Sequence, residues 1–216
     1  MARAELLGRI RATGVIPVVR APSADDALAA VEAMRAGGID IVELTMTVPS
    51  PIRVIEKVVE RYGDTIVAGA GTVLDAETAR ACILAGAAFV VSPIVDRPTI
   101  RVCRTHGIPV VPGALTPTEV VRAWRAGADL VKVFPCGAVG GASYIKALRA
   151  PLPQIELVPT GGVTVATVGD FIAAGAFAVG AGADLVDIAR LRRGDHAGLA
   201  ENARRYVAAV QQARQA

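Results

Sequence analysis

Lys132 and Glu43 are charged residues set inside runs that are otherwise apolar, ADLVKVFP (128–135) and IDIVELT (39–45). Burying an amine disfavours its ammonium form and lowers its pKa. A neutral amine can attack a ketone to give a Schiff base. A carboxylate in the same cavity could move the protons for carbinolamine formation, dehydration and enamine formation. The competing reading is a buried structural ion pair, because such pairs also perturb titration. The only other lysines are Lys57 and Lys146. Lys57 lies beside Glu56 and Glu60 in the amphipathic stretch IRVIEKVVERYG, and Lys146 lies in a helix pattern after the sixth apolar run; both read as solvated.

Side chains alternate between the two faces of a strand. Leu130, Lys132 and Phe134 therefore share one face, opposite Val131 and Val133. Ile41, Glu43 and Thr45 share one face, opposite Val42 and Leu44. The purely aliphatic faces belong against helices, so the amine and the carboxylate are expected to point into one interior.

The elements that must hold this pair recur along the whole chain. Eight short apolar runs alternate with helix patterns: residues 15–20, 39–45, 65–71, 87–93, 108–113, 128–135, 155–162 and 176–182. Runs rich in Val and Ile with little polar alternation are typical of buried parallel strands. Helix starts are marked by Ser23 with Asp26, by Asp75, and by Thr116 with Pro117 and Glu119. Gly37, Gly86, Gly107, Gly127 and Gly175 fit helix ends that need a positive φ. The pattern predicts a (β/α)₈ TIM barrel formed by a single domain over residues 1–216. Extra helices are expected at Ala2–Ala12 and Ala197–Arg214. A doubly wound open sheet is the structural alternative, and eight evenly spaced units favour closure.

Active sites of such barrels form at the C-terminal strand ends. The polar residues there are Arg20, Glu43, Thr45, Thr47, Thr72, Ser92, Lys132 and Thr160. Two glycine-rich ends, PTGGV (159–163) and VGAGADL (179–185), follow the seventh and eighth runs. Glycines let backbone N–H groups approach an anion closely, so these loops suit a phosphate or a carboxylate.

Composition excludes several classes. The net charge is +3, and no basic cluster is interleaved with aromatics along the sequence, which argues against a nucleic-acid partner. Cys82, Cys103 and Cys136 are odd in number and lack CxxC spacing, which suits reduced thiols in a cytoplasmic protein. His106 and His196 lie away from other ligand-type residues, so no metal is expected. The N-terminus lacks the apolar core of a signal peptide, and no run is long enough to span a membrane. Cys136 reads as an ordinary loop thiol and Trp124 as helix packing.

The ordered set IPVVR (16–20), IVELT (41–45), GAGTV (69–73), VSP (91–93), VPGALTPTE (111–119), VKVFP (131–135) and PTGGV (159–163) resembles one family along nearly the whole chain. That family is the 2-keto-3-deoxy-6-phosphogluconate (KDPG) aldolase / 4-hydroxy-2-oxoglutarate (KHG) aldolase family of class I pyruvate aldolases. The resemblance implies that Lys132 is the Schiff-base lysine and Glu43 the general acid/base. It puts Thr72 at the pyruvyl carboxylate, Pro93 and Phe134 in the pocket lining, and Thr160, Gly161 and Gly162 at the substrate's distal end. Arg20 matches a basic position that contacts an anion. Two departures stand out. Thr47 occupies a position where some members carry an arginine for the pyruvate carboxylate, which shifts that role towards Arg20 and Thr72. Ala183, after Gly182, replaces a serine that some members carry in the eighth-strand phosphate loop.

The expectation is reversible retro-aldol cleavage of KDPG to pyruvate and glyceraldehyde 3-phosphate, with no metal or organic cofactor. Cleavage of 4-hydroxy-2-oxoglutarate to pyruvate and glyoxylate is the close alternative. A phosphosugar isomerase, epimerase or synthase, or a non-catalytic assembly barrel, would belong to a different class. The partner is a small ketoacid or phosphorylated sugar acid, and the resemblance implies a homotrimer.

Overall fold

The computed structural model describes residues 2–215. Every apolar run supplies a strand: β1 (Val15–Val19), β2 (Ile41–Thr45), β3 (Val67–Gly71), β4 (Phe89–Val91), β5 (Val110–Val111), β6 (Gly113–Ala114), β7 (Val131–Val133), β8 (Leu157–Pro159) and β9 (Val179–Ala181). The fifth run yields two short strands because Pro112 lies between them. Proline has no N–H to give to a ladder, while its carbonyl still accepts from Lys132 N at 2.9 Å.

All the strand pairs are parallel. One sheet runs β5-β4-β3-β2-β1-β9 and the other β6-β7-β8. The chain passes from the first sheet to the second through Pro112. At the opposite edges, Thr160 and Gly180 form a parallel bridge, and Phe177 N donates to Leu157 O at 2.9 Å. The result is an α/β fold with curled parallel sheets.

Helix α1 (Arg3–Thr13) precedes β1, and the others come after strands: α2 (Ala24–Ala36), α3 (Pro51–Tyr62), α4 (Ala76–Leu84), α5 (Arg97–Thr105), α6 (Pro117–Arg125), α7 (Ala142–Arg149), α8 (Val168–Ala173), α9 (Ile188–Arg192) and α10 (His196–Gln215). Ser23, Asp75 and Thr116 cap α2, α4 and α6 as the sequence predicts. Gly86, Gly107, Gly127 and Gly175 take positive φ, but Gly37 does not. Its φ is −87°, and the left-handed turn falls on Gly38. Gly37 serves close packing instead, since a Cβ there would stand 2.6 Å from the Ala200 carbonyl oxygen of α10.

Strand parity divides the core in two. Val42, Leu44, Val131 and Val133 belong to the cluster shared with the helices. Ile16, Ile41, Val67, Phe89, Leu130 and Val158 belong to a second cluster that also holds Leu6 and Ile10 of α1. These inward residues sit towards the N-terminal ends of their strands. They form an apolar floor, with α1 packed beneath it, under whatever the next inward positions carry.

Candidate active site

The next inward positions on β2 and β7 carry Glu43 and Lys132. Their side chains are each 3% exposed, and Lys132 Nζ stands 3.8 Å from Glu43 Oε1. The amine also lies over the Phe134 ring, 5.2 Å from its centroid, within reach of the ring's negative face. The geometry of the pair is unusual for a structural ion pair. At 3.8 Å there is no hydrogen bond, and Glu43 Oε1 is buried with no hydrogen-bond partner. A buried carboxylate oxygen left without a donor is costly. Its free lone pairs face the amine, where a proton or a substrate atom could be received.

Inward-facing glycines make the room. In the ladder between β2 and β3, Glu43 is opposite Gly69 and Thr45 is opposite Gly71. A Cβ on Gly71 would stand 2.5 Å from Glu43 Cγ and closer still to Oε1. Gly113 is similarly confined by the Pro93 backbone, and Gly180 by Thr160 Oγ1. Thr72, immediately after Gly71, has φ 58°. For a β-branched residue that is a strained backbone, of a kind that concentrates at functional sites. Thr45 donates to Val19 O at 3.0 Å, and its Oγ1 lies 2.7 Å from Thr47 Oγ1. Thr47 itself is exposed.

Pro93 and Phe134 are half-buried and line one cavity of about 890 Å³ with Gly113. The loop after β8 packs on the loop after β7. Cys136 N donates to Thr160 O and Gly137 N to Gly161 O, both at 2.9 Å. Gly161 and Gly162 have φ 90° and 78°, a pair of left-handed positions open to glycine at little cost. Arg20 is exposed at the end of β1, and a Cβ on Gly182 would be 3.6 Å from its Nη1. With Ala183 it lines a cavity of about 360 Å³. The structure thus gathers Arg20, Gly182 and Ala183 on one side of the interior, and Pro93, Gly113 and Phe134 on another.

Sequence reading missed a brace behind the glycine loops. The Tyr206 hydroxyl of α10 donates to Asp184 Oδ2 at 2.6 Å and lies 3.3 Å from Val163 O. Asp184 Oδ2 also accepts from Val165 N at 3.1 Å, and its carbonyl accepts from Asn202 at 2.7 Å. One helix thereby ties the loop after β8 to the loop after β9. Burial first, and the Asp184 carboxylate second, push the Tyr206 hydroxyl pKa well up, so it stays a donor. No motif marks this pair in sequence; only an acidic residue next to a glycine loop hints at it.

Burial also pushes the three thiols up: Cys82 to about 11, Cys103 to about 12 and Cys136 to about 11. Cys136 is buried rather than displayed on a loop, with its thiol 3.5 Å from the Gly141 carbonyl.

The family model for KDPG and KHG aldolase matches residues 7–201. The chain belongs to that aldolase family. Among curated relatives, a 2-dehydro-3-deoxy-6-phosphogalactonate aldolase of Escherichia coli is 39% identical over 172 residues, 79% of this chain and 83% of the relative. A 2-dehydro-3-deoxy-phosphogluconate aldolase of Treponema pallidum is 36% identical over 169 residues, 78% and 79% of the two chains. Among solved structures, a KDPG aldolase from Legionella pneumophila, with pyruvate captured as a covalent carbinolamine, matches with TM-score 0.85 and 29% identity. That match covers 92% of this chain and 96% of the other.

Proposed function

We propose that this aldolase works through a Schiff base on Lys132 and cleaves KDPG to pyruvate and glyceraldehyde 3-phosphate. The observation that carries the reading is the buried, hydrogen-bond-free Glu43 Oε1 held 3.8 Å from Lys132 Nζ. A purely structural pair would be expected to close to hydrogen-bond distance, since removing two charges from water is offset only by good geometry.

In this reading the Lys132 amine adds to the substrate C2 carbonyl, and Glu43 passes a proton to the developing alkoxide. Loss of water gives the iminium. Glu43, now a base, takes the C4 hydroxyl proton as the C3–C4 bond breaks, and the electron pair moves into the enamine. The aldehyde departs, a proton returns to C3, and water releases pyruvate from Lys132. The apolar floor below the pair keeps bulk water from the charged intermediates.

Thr72 is assigned to the pyruvyl carboxylate, and Pro93 and Phe134 to the lining of the pocket. Thr160, Gly161 and Gly162 receive the distal end of the substrate. Arg20 shares a cavity with Ala183, and its Nη1 would stand 3.6 Å from a Cβ on Gly182; that placement favours the distal phosphate over the pyruvyl carboxylate suggested for it from sequence, since a guanidinium offers a fork of donors that Ala183 lacks. Thr47 contributes a hydroxyl and no cation.

The two sheets are read as one closed (β/α)₈ barrel in a single domain. β5 and β6 are then halves of the fifth strand, and the Thr160–Gly180 bridge closes the ring. The protein is taken as cytoplasmic, consistent with three free, buried cysteines, and as a homotrimer on the family resemblance alone. No helix among the described residues is long and apolar enough to cross a membrane.

The test is to incubate the protein with pyruvate, add borohydride, and map the product by mass spectrometry. A reduced pyruvyl adduct on Lys132 is expected; folded protein that forms no adduct ends the Schiff-base reading. The 39% identity to a phosphogalactonate aldolase supports a second reading, in which the C4 epimer is the better substrate. Comparing kcat/KM for the two epimers and for 4-hydroxy-2-oxoglutarate decides among them.

A further inference from the structure

Helices α5 and α6 lie against neighbouring strands and bury Thr99, Ile100 and Cys103, and Val120 and Ala123, respectively. Their other faces carry Arg97, Arg101, Arg104, Arg122 and Arg125. Four of these, Arg97, Arg101, Arg104 and Arg125, line one cavity of about 640 Å³ that contains no acidic residue. Arg97 and Arg125 also line the cavity of about 890 Å³ beside Phe134, where Arg122 joins them. At the other end, Arg104 and Arg125 share a third cavity, of about 440 Å³, with Trp124. The three cavities thus lie side by side along α5 and α6 and share arginines in their walls. Trp124, read from the sequence as helix packing, is 43% exposed, because the buried stripe of α6 runs through Val120 and Ala123.

Among the described residues, none of the five arginines forms an ion pair. The nearby acids cap helix starts, and Glu119 also feels the charge of Arg122 in the cavity beside Phe134. Glu119 Oε2 accepts from Leu115 N, Thr116 N and Thr116 Oγ1 at the start of α6. Asp96 Oδ2 accepts from Thr99 N and Thr99 Oγ1 at the start of α5. The whole chain carries only +3, so four arginines lining one cavity with no acidic residue are a strong local excess. Gathering guanidinium groups without counter-charges raises their mutual repulsion, which an anion between them would relieve. Guanidinium forks match the oxygens of phosphate and bind them bidentately. The spread of the arginines over adjoining cavities suits several phosphates in a row rather than one.

We propose that the two outer cavities on the α5–α6 face, lined by Arg97, Arg101, Arg104 and Arg125, are a binding site for a ligand bearing a di- or triphosphate chain, beside the cavity of about 890 Å³ that Pro93 and Phe134 line. Trp124 is the only tryptophan of the chain, so its fluorescence reports this site alone. Inorganic tripolyphosphate titrated into the intact protein should change that fluorescence saturably. Binding should be at least about tenfold tighter than that of inorganic phosphate, and should weaken as salt rises. The double variant R101Q/R104Q alters exposed side chains. It should weaken binding by at least about tenfold while still forming the pyruvate adduct. K132M should bind tripolyphosphate as the unaltered protein does. No saturable change, or equal affinity in R101Q/R104Q, would overturn the proposal. So would a change of oligomeric state in that variant, which would assign the arginines to a subunit contact.

Discussion

The carboxylate of Glu43 occupies the volume that a side chain on Gly71 would need. The two residues lie on adjacent strands, two positions apart in register, and the absence of a Cβ lets the carboxylate lie in the inward layer beside Lys132. Gly71→Ala must therefore displace the proposed proton carrier. Misplacing a catalytic group by about 1 Å can cost roughly a hundredfold in rate, and a loss of that order in kcat is expected. Circular dichroism should show a folded protein. Wild-type kcat in G71A would mean that the position of Glu43 is not critical.

Replacing Glu43 itself separates catalysis from architecture. Because Oε1 has no hydrogen-bond partner, Glu43→Gln sacrifices little bonding. The catalytic reading predicts a drop in kcat of about 10²–10⁴, with a small change in the denaturant midpoint. The structural reading predicts the reverse: a stability loss of about 3–5 kcal/mol from an unpaired buried lysine, and activity lost only as far as folding is. Equilibrium unfolding and steady-state rates on one preparation tell these apart.

Much of this arrangement was legible in the sequence. Alternation along VELT and VKVF was enough to put Glu43 and Lys132 on inward faces, because a period of two leaves a charged residue only one choice when its neighbours must meet helices. The strands themselves were visible for the same reason. What stayed hidden depends on distances between segments far apart in sequence. Nothing in GAGTV says that Gly71 abuts a carboxylate rather than merely turning. Gly37 and Gly38 look alike until α10 is known to cross one of them. The arginines of α5 and α6 form a cluster only after folding, so a scan for basic runs interleaved with aromatics passes over them and Trp124. Tyr206 and Asp184 are likewise joined only by the return of the last helix.

That last pair leads to a split between kinetic constants. Tyr206→Phe removes the α10 donor that holds Asp184 Oδ2, the oxygen that also accepts from Val165 N just after Gly161 and Gly162, and leaves the ring in place. The loops serve the distal end of the substrate in the proposed mechanism, so KM for the phosphorylated substrate should rise severalfold. Adduct formation with pyruvate, which has no distal end, should keep its rate. Equal losses in both assays would reduce Tyr206 to a general stabiliser. Asp184→Asn, which can still accept from the hydroxyl, should recover most of the wild-type KM.

The buried thiols bear on both reactivity and alkaline stability. Burial holds Cys82, Cys103 and Cys136 near 11, 12 and 11, above the ordinary value of 9.0. The thiolate is the nucleophile, so native protein at pH 8 should resist iodoacetamide, whereas denatured protein should take up three carbamidomethyl groups by intact mass. The sign of the linkage follows from the same shift. Between pH 9 and the raised native values, the unfolded chain has released protons that the folded chain still holds, so folding stability falls as pH rises through that window. Well below pH 9 both states carry neutral thiols, and the contribution is constant. Cys103→Ala should accordingly cost stability at pH 7 through lost packing. That cost should shrink progressively above pH 9, as the wild-type protein loses the advantage of its protonated thiol. Urea unfolding of both proteins at pH 7, 9 and 10.5 measures the difference; a cost that does not change with pH would show that Cys103 titrates alike in the folded and unfolded chain.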